Sequence, residues 1–250
     1  GNLPEEDIAS SKTQRIDAVT DDGSVYDVSE LFSPPRTTGM AVQFGFKPGF
    51  SFDDKHIDKI TGRSWDLSQQ KEASKMMGLL KMKQSKLLVV SPPCRTFSIL
   101  QAMRRTPMSV EEAAEGERLL SLGLAACRLQ DKLGRYFIFE HPASARSWKY
   151  HELEKMRDSG KFYEIELGQC SFGLTSFDEQ GSGLARKSTR LLTNMPLAKL
   201  WLGKKCTKDH RHVHLVHDRA SGAQQYPRDL CRAILTTLKD EVRVGKQVLA

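Results

Sequence analysis

No stretch of this 250-residue sequence approaches the roughly 18–20 consecutive apolar residues that a bilayer-crossing helix needs, which excludes a helix of that kind. Cysteine is scarce and lacks a pairing pattern: Cys94, Cys127, Cys170, Cys206 and Cys231 are an odd number, widely scattered, with no Cys-x-x-Cys. That argues against a disulfide framework and for a reducing, intracellular setting, the nucleus in a eukaryotic cell. Residues 1–23 are acidic, polar and nearly free of large apolar side chains. They read as a disordered leader rather than a signal peptide, ahead of a domain over residues 24–240, with 241–250 as a tail. No internal repeat is visible.

What is present is an ordinary globular composition, 39% hydrophobic and 28% charged, in a chain long enough for one substantial domain. The formal net charge of +7 and pI near 9.1 suit a polyanionic partner such as nucleic acid.

Strand and helix signals alternate. Strands are predicted over residues 25–32, 50–52, 87–90, 136–139 and 162–167. Helices are predicted over 38–46, 69–83, 110–133 and 149–157, with a last one opened by Pro227 and running to Leu238. Met76 and Met77 fall on the apolar face of the second of these and read as core. Ser109 with Glu112 fits a capping box at the start of the third, and Gly134 stops it. Residues 181–226 read as irregular, basic and rich in histidine. The alternation predicts an α/β fold with a doubly wound, mostly parallel sheet.

Two strands end in polar, proline-locked turns. Val89-Val90-Ser91-Pro92-Pro93-Cys94 lifts a thiol on a stiff loop, because Pro fixes φ and pushes the preceding residue out of the helical region. Phe139-Glu140-His141-Pro142 does the same for a carboxylate. Open α/β sheets place their chemistry beyond the carboxyl ends of the strands. Cys94 is therefore a candidate nucleophile and Glu140 its candidate partner; the alternatives are a small packing residue and a turn cap.

These segments carry a resemblance. Ser91-Pro92-Pro93-Cys94 with Phe97-Ser98 resembles the Pro-Pro-Cys-x-x-Phe-Ser loop of cytosine-C5 DNA methyltransferases. Phe139-Glu140-His141-Pro142 is similar to their glutamate turn. Cys170-Ser171-Phe172-Gly173, Arg186-Lys187-Ser188-Thr189-Arg190 and Thr193-Asn194 resemble a pattern of compact phage-type members and of modules in retroelement polyproteins. The segment from Tyr226-Pro227 to Ala233-Ile234 resembles the helix that returns to the cofactor site. The four segments occur in the family's order over about residues 25–238. The resemblance implies a Rossmann-like methyltransferase fold with little or no separate target-recognition domain. It also implies S-adenosylmethionine as cofactor and DNA as partner, with RNA as the other candidate.

By the same resemblance, Cys94 would add to cytosine C6, Glu140 would serve N3, and Arg186 or Arg190 would hold the base O2 or a phosphate. A solvated basic strand is the other reading of those two arginines. Glu30, Phe32, Thr38, Asp53, Asp54, Asp66 and Pro92 would line the cofactor site. The loop after the first strand departs from the family: Ser33-Pro34-Pro35-Arg36 stands where glycines normally cradle the cofactor. A catalytically silent nucleic-acid-binding module of a larger polyprotein or complex is therefore the second functional reading.

Four of the seven histidines, His210, His212, His214 and His217, follow Cys206 closely. Cys206, His210 and His212 are candidate zinc ligands, although the spacing matches no standard finger. The other reading is a histidine-rich strand near nucleic acid.

Overall fold

The computed structural model describes residues 25–98, 107–215 and 225–248; the expected leader and His217 lie outside these. The strands, in chain order, are β1 (Val28–Leu31), β2 (Pro48–Phe52), β3 (Leu87–Val90), β4 (Tyr136–Pro142), β5 (Tyr163–Gly168), β6 (Thr175–Asp178), β7 (Gly181–Ala185), β8 (Ser188–Thr193) and β9 (His212–Val213). The helices are α1 (Thr37–Met40), α2 (Gln70–Lys83), α3 (Val110–Lys132), α4 (His151–Asp158), α5 (Ala198–Leu202) and α6 (Arg228–Val248).

The main sheet has the order β2-β1-β3-β4-β8-β5. β1 pairs in parallel with β2 and β3, and β3 with β4, while β8 runs antiparallel between β4 and β5. This is a doubly wound, mostly parallel α/β sheet of the Rossmann-like kind. β3 reads Leu-Leu-Val-Val with every residue buried, as a strand covered on both faces must be. Alternation sends Leu88 and Val90, with Phe137, Phe139 and Leu192, into one core beneath α2, α3 and α4. Leu87 and Val89, with Ile138 and Leu191, enter the other, beneath α5 and α6. Burying each of these large side chains stabilises the fold by about 1.5–3 kcal/mol before conformational entropy is subtracted.

The local signals hold in detail. Ser109 Oγ accepts from Glu112 N at 3.1 Å and the Glu112 carboxylate answers at Ser109 N, forming the capping box of α3. Two expectations need correction. The stretch after Gly181 is not irregular: β7, β8, α5 and β9 lie within it. The C-terminal tail is not a tail either, because α6 continues to Val248. Its apolar stripe of Leu230, Cys231, Ile234, Leu235 and Leu238 packs on the sheet and carries the helix onward.

β6, β7 and β9 form a second, three-stranded sheet. Its cluster consists of buried Leu174 and Ala185, with Leu215 against them. Apart from this small sheet, the described residues form no separate lobe. Among them, no helix is long and apolar enough to cross a membrane.

Candidate active site

The chain crosses from the β2 side of β1 to the β3 side, so the crevice beyond these strand ends lies at a switch point. The loops after β1 and β3 meet there on α3, which carries glycine where they press on it. A Cβ at Gly123 would stand 3.1 Å from Pro92 Cγ and 3.4 Å from Phe32 Cε2, and one at Gly116 would collide with Thr96. Thr96 belongs to the single 3-10 turn Arg95–Phe97 that Cys94 opens, and buried Phe97 anchors that turn.

Glu140 sits one residue past Phe139, which pairs with Val90 of β3. It is almost fully buried, and its Oε1 has no hydrogen-bond partner among the described residues. Lys187 Nζ stands 3.9 Å from that oxygen, within ion-pair range but too far for a hydrogen bond. Burial first, and the Glu140 carboxylate second, push the Cys94 thiol above its ordinary range, while the Lys187 ammonium opposes them. The resting thiol is therefore protonated at neutral pH.

His141 fixes the loop. Its Nε2 faces the Pro92 carbonyl at 3.0 Å, which can only accept, so Nε2 carries the proton and Nδ1 accepts from Ser147 Oγ at 2.5 Å. Burial lowers its pKa to about 4, which keeps the ring neutral in that tautomer. From the far side, Tyr226 just ahead of α6 hydrogen bonds Ser91 through its hydroxyl at 2.5 Å. The helix predicted to return to the site thus reaches the proline loop.

The two candidate arginines do not join this group. Arg190 pairs with His141 across β4 and β8, whereas Glu140 pairs with Leu191. Side chains alternate across a sheet, so Arg190 and Glu140 face opposite sides. Arg190 is held by Glu166 at 2.5 Å and Glu164 at 3.4 Å, over the Trp148 ring. Arg186 is exposed beside β9, its backbone N–H bonded to Val213. Lys187, which sequence reasoning passed over between them, is the cation at Glu140.

The expected cofactor residues also divide. Glu30 is fully buried and accepts from Thr37 N at 3.0 Å, Thr38 N at 2.8 Å and Thr38 Oγ1 at 2.6 Å. Glu30 and Thr38 thus hold the first loop from within rather than open onto a ligand. Burial raises the pKa of Glu30, and those hydrogen bonds oppose the rise. Pro34 and Pro35 have no N–H, and Arg36 N bonds Pro34 O at 2.7 Å, so this loop offers no nest of backbone donors. The half-buried Arg36 guanidinium, with no ion pair among the described residues, is the loop's available cation.

Phe32 adopts φ 60, a strained left-handed conformation for a residue with a side chain, and its ring is half-buried at the switch point. Asp53 follows β2; Lys55 N and His56 Nδ1 both bond its Oδ1, at 3.0 and 2.6 Å, leaving Oδ2 without a partner among the described residues. Asp54 is exposed. Asp66 is exposed as well and closes a turn on Ser68, whose hydroxyl lowers its pKa. Pro92 is buried and serves through its carbonyl, as the anchor for His141. A separate groove of about 740 Å³, lined by Leu67, Met77, Leu119, Leu122 and Tyr150 among others, touches none of Cys94, Glu140 or Lys187.

Cys206, His210 and His212 do come together, and Cys170, which the sequence reading did not include, joins them.

No family model matches the sequence, and no curated protein matches it. Among solved structures, the chain is similar to the Dnmt2 methyltransferase of S. pombe, at 16% identity and a TM-score of 0.41. That match takes in 67% of this chain and 50% of the other, so the chain spans half the length of the structure it resembles.

Proposed function

We propose that the chain is an S-adenosylmethionine-dependent cytosine-C5 methyltransferase acting on DNA. The observation that carries this reading is the buried Glu140 carboxylate, with one oxygen unpartnered, beside a strand-end thiol whose pKa it raises. A buried acceptor left open costs about 1–3 kcal/mol or more unless a ligand completes it. The 4-amino group of cytosine, next to N3, is a donor that would complete it, and a protonated N3 is another.

Cytosine C5 is a weak nucleophile until a soft anion adds to C6. With the base docked, the Cys94 thiol proton passes to Glu140 and from there to N3. Cys94 Sγ bonds to C6 as the C5–C6 π pair shifts to C4–C5 and the C4–N3 pair settles on N3. While Glu140 carries that proton the like charge that disfavours the thiolate is absent, and by the time N3 has taken it the sulfur is bound to C6. Lys187 favours the thiolate throughout. S-adenosylmethionine, when bound, supplies an electrophilic methyl for the enriched C5. Loss of the C5 proton to a solvent water then returns its electron pair to C5–C6, Cys94 leaves as thiolate, and N3 gives its proton back to Glu140. The base must be flipped from a duplex or already single-stranded to meet these groups.

The residues fit the cofactor. Asp53 Oδ2 is open to ribose hydroxyls, Phe32 offers a ring at the switch point, and Arg36 supplies the charge for a carboxylate that the amide-poor loop does not. That same loop favours the second reading, a silent nucleic-acid-binding module, since two prolines and Glu30 remove the usual backbone donors.

Calorimetric titration with S-adenosylmethionine and S-adenosylhomocysteine separates the two. Micromolar binding, followed by labelled methyl transfer that Cys94→Ser abolishes, is the expected result. No binding at millimolar ligand moves the chain to the silent module. Parallel DNA and RNA substrates decide the polymer, and RNA methylation alone would overturn the DNA assignment.

A further inference from the structure

We infer that Cys170, Cys206, His210 and His212 bind a zinc ion that staples the small sheet to the main one. Cys170 lies in the turn Gln169–Phe172 after β5, Cys206 in the loop after α5, and the histidines lead into β9. Their four ligand atoms all fall within 4.8 Å of one another. Cys206 Sγ is 3.6 Å from His210 Nε2 and 3.3 Å from His212 Nε2, and the two Nε2 atoms are 3.0 Å apart. Zinc bonds of about 2.3 Å to sulfur and 2.0–2.1 Å to nitrogen give tetrahedral edges of roughly 3.6 Å for S–N and 3.3 Å for N–N. The three edges among Cys206, His210 and His212 have nearly the dimensions of a tetrahedral zinc shell, and Cys170 Sγ lies within 4.8 Å of each.

The surroundings prepare these groups as ligands. His210 Nδ1 pairs with Asp209 Oδ1 at 2.9 Å, and that carboxylate also accepts from Thr207 Oγ1 at 2.5 Å. A carboxylate on Nδ1 holds the proton there and leaves the Nε2 lone pair facing the cluster, the outer-shell arrangement of metal-bound histidine. Lys208 N donates to Cys206 Sγ at 3.3 Å and holds the sulfur at the cluster. At Gly168 a Cβ would meet Cys206 N at 3.2 Å and Cys170 Sγ at 3.3 Å, so a side chain there would press the two loops a few tenths of an ångström apart.

The fold also needs a staple at this place. The small sheet has three buried apolar residues, Leu174, Ala185 and Val213, and β9 is two residues long. Such a unit cannot hold itself together by burial. Four protein ligands with two thiolates close the shell and leave no open position, which marks a structural rather than a catalytic ion and selects zinc over magnesium or calcium.

The test is the metal content of the full chain, purified under reducing conditions and freed of loose metal by gel filtration. About one zinc per chain is expected, falling more than tenfold in Cys206→Ser and in Cys170→Ser and unchanged in Cys127→Ser. A ligand variant that simply unfolds the small sheet would also lose metal. Cobalt(II) is therefore titrated into the metal-stripped natural chain, where thiolate charge-transfer bands and an intense tetrahedral visible spectrum should saturate at about one equivalent. An octahedral spectrum, no saturable binding, or a Cys170–Cys206 disulfide in place of two thiols would overturn the assignment. None of these readouts needs a methyl donor or nucleic acid, so this inference and the proposed methyl transfer stand or fall separately.

Discussion

The strand-end site and the small sheet use the same residue types for opposite purposes. At the strand ends, Cys94 and Glu140 rest on two cores that fill both faces of a six-stranded sheet. That bulk is what allows a carboxylate oxygen to be buried without a partner. Beside the small sheet, whose core is slight, Cys170, Cys206, His210 and His212 turn their ligand atoms toward one another. The histidines show the contrast best. His141 has both ring nitrogens taken by Pro92 and Ser147 and nothing left for a ligand. His210 gives one nitrogen to Asp209 and leaves the other facing the cluster. A packed core can hold a reactive group incomplete, whereas a sheet with a slight core must complete its polar groups to hold together.

The sharpest break of this comparison comes from removing the thiol. Cys94→Ser should bring methyl transfer to background while shifting stability by less than about 1 kcal/mol, because the change is nearly isosteric and the core does not depend on it. Persistent transfer in that variant would end the nucleophile assignment. Glu140→Gln should lower turnover by about 10²–10⁴-fold, the usual scale for losing a proton-transfer group. It should also do something a structural role would not. With the like charge gone, the Cys94 pKa falls, so the alkylation rate of Cys94 in the free chain rises at a given pH and its pH profile moves down. Alkylation that slows in Glu140→Gln would mean the two groups are not coupled.

The histidine contrast has its own test in acid. His141 has a folded pKa near 4 against an ordinary 6.5. The folded state resists protonation that the unfolded chain accepts, so its contribution is present above pH 6.5 and lost as pH falls toward 4. The difference corresponds to about 3 kcal/mol. His141→Ala should be less stable at pH 7.5, by about 1–3 kcal/mol for the hydrogen bonds lost, and should show a flatter stability profile between pH 6.5 and 4. Denaturant melts across that window measure both, and an unchanged slope would show that another group carries the acid sensitivity.

Which parts of this were legible follows from how far each residue had to be carried. β3 was readable to the residue because Leu87–Val90 is an unbroken apolar run, and α3 because Ser109 and Glu112 mark its start locally. Cys94 and Glu140 stood out because prolines beside them mark strand ends. Lys187 did not, because choosing among 186, 187 and 190 requires the register of β8, where a one-residue shift exchanges the faces. Arg36 was hidden behind Glu30, whose burial turns it into a loop brace. Cys170 meets Cys206 only after β5 and α5 are packed, and nothing in the spacing of either segment announces that meeting.

The smallest effect asks whether the two regions communicate. Lys187 sits in the short link between β7 and β8, and its carbonyl accepts from Gln169 N at 2.9 Å, one residue before Cys170. Its neighbour Arg186 is tied to β9 through Val213. The proposed zinc therefore anchors both sides of the segment that presents the cation to Glu140 and Cys94. Lys187→Met removes the charge that lowers the Cys94 pKa, so alkylation should slow. Removing zinc with a chelator leaves the charge in place but loosens its support, and should slow alkylation in the same direction by about twofold, equivalent to roughly 0.3 pKa units. Chelation added to Lys187→Met should then have no further effect, because the group through which the small sheet acts is already gone. If chelation slows the variant as much as the natural chain, the coupling does not run through Lys187. If it slows neither, the small sheet is a separate structural unit and the strand-end site stands on its two cores alone.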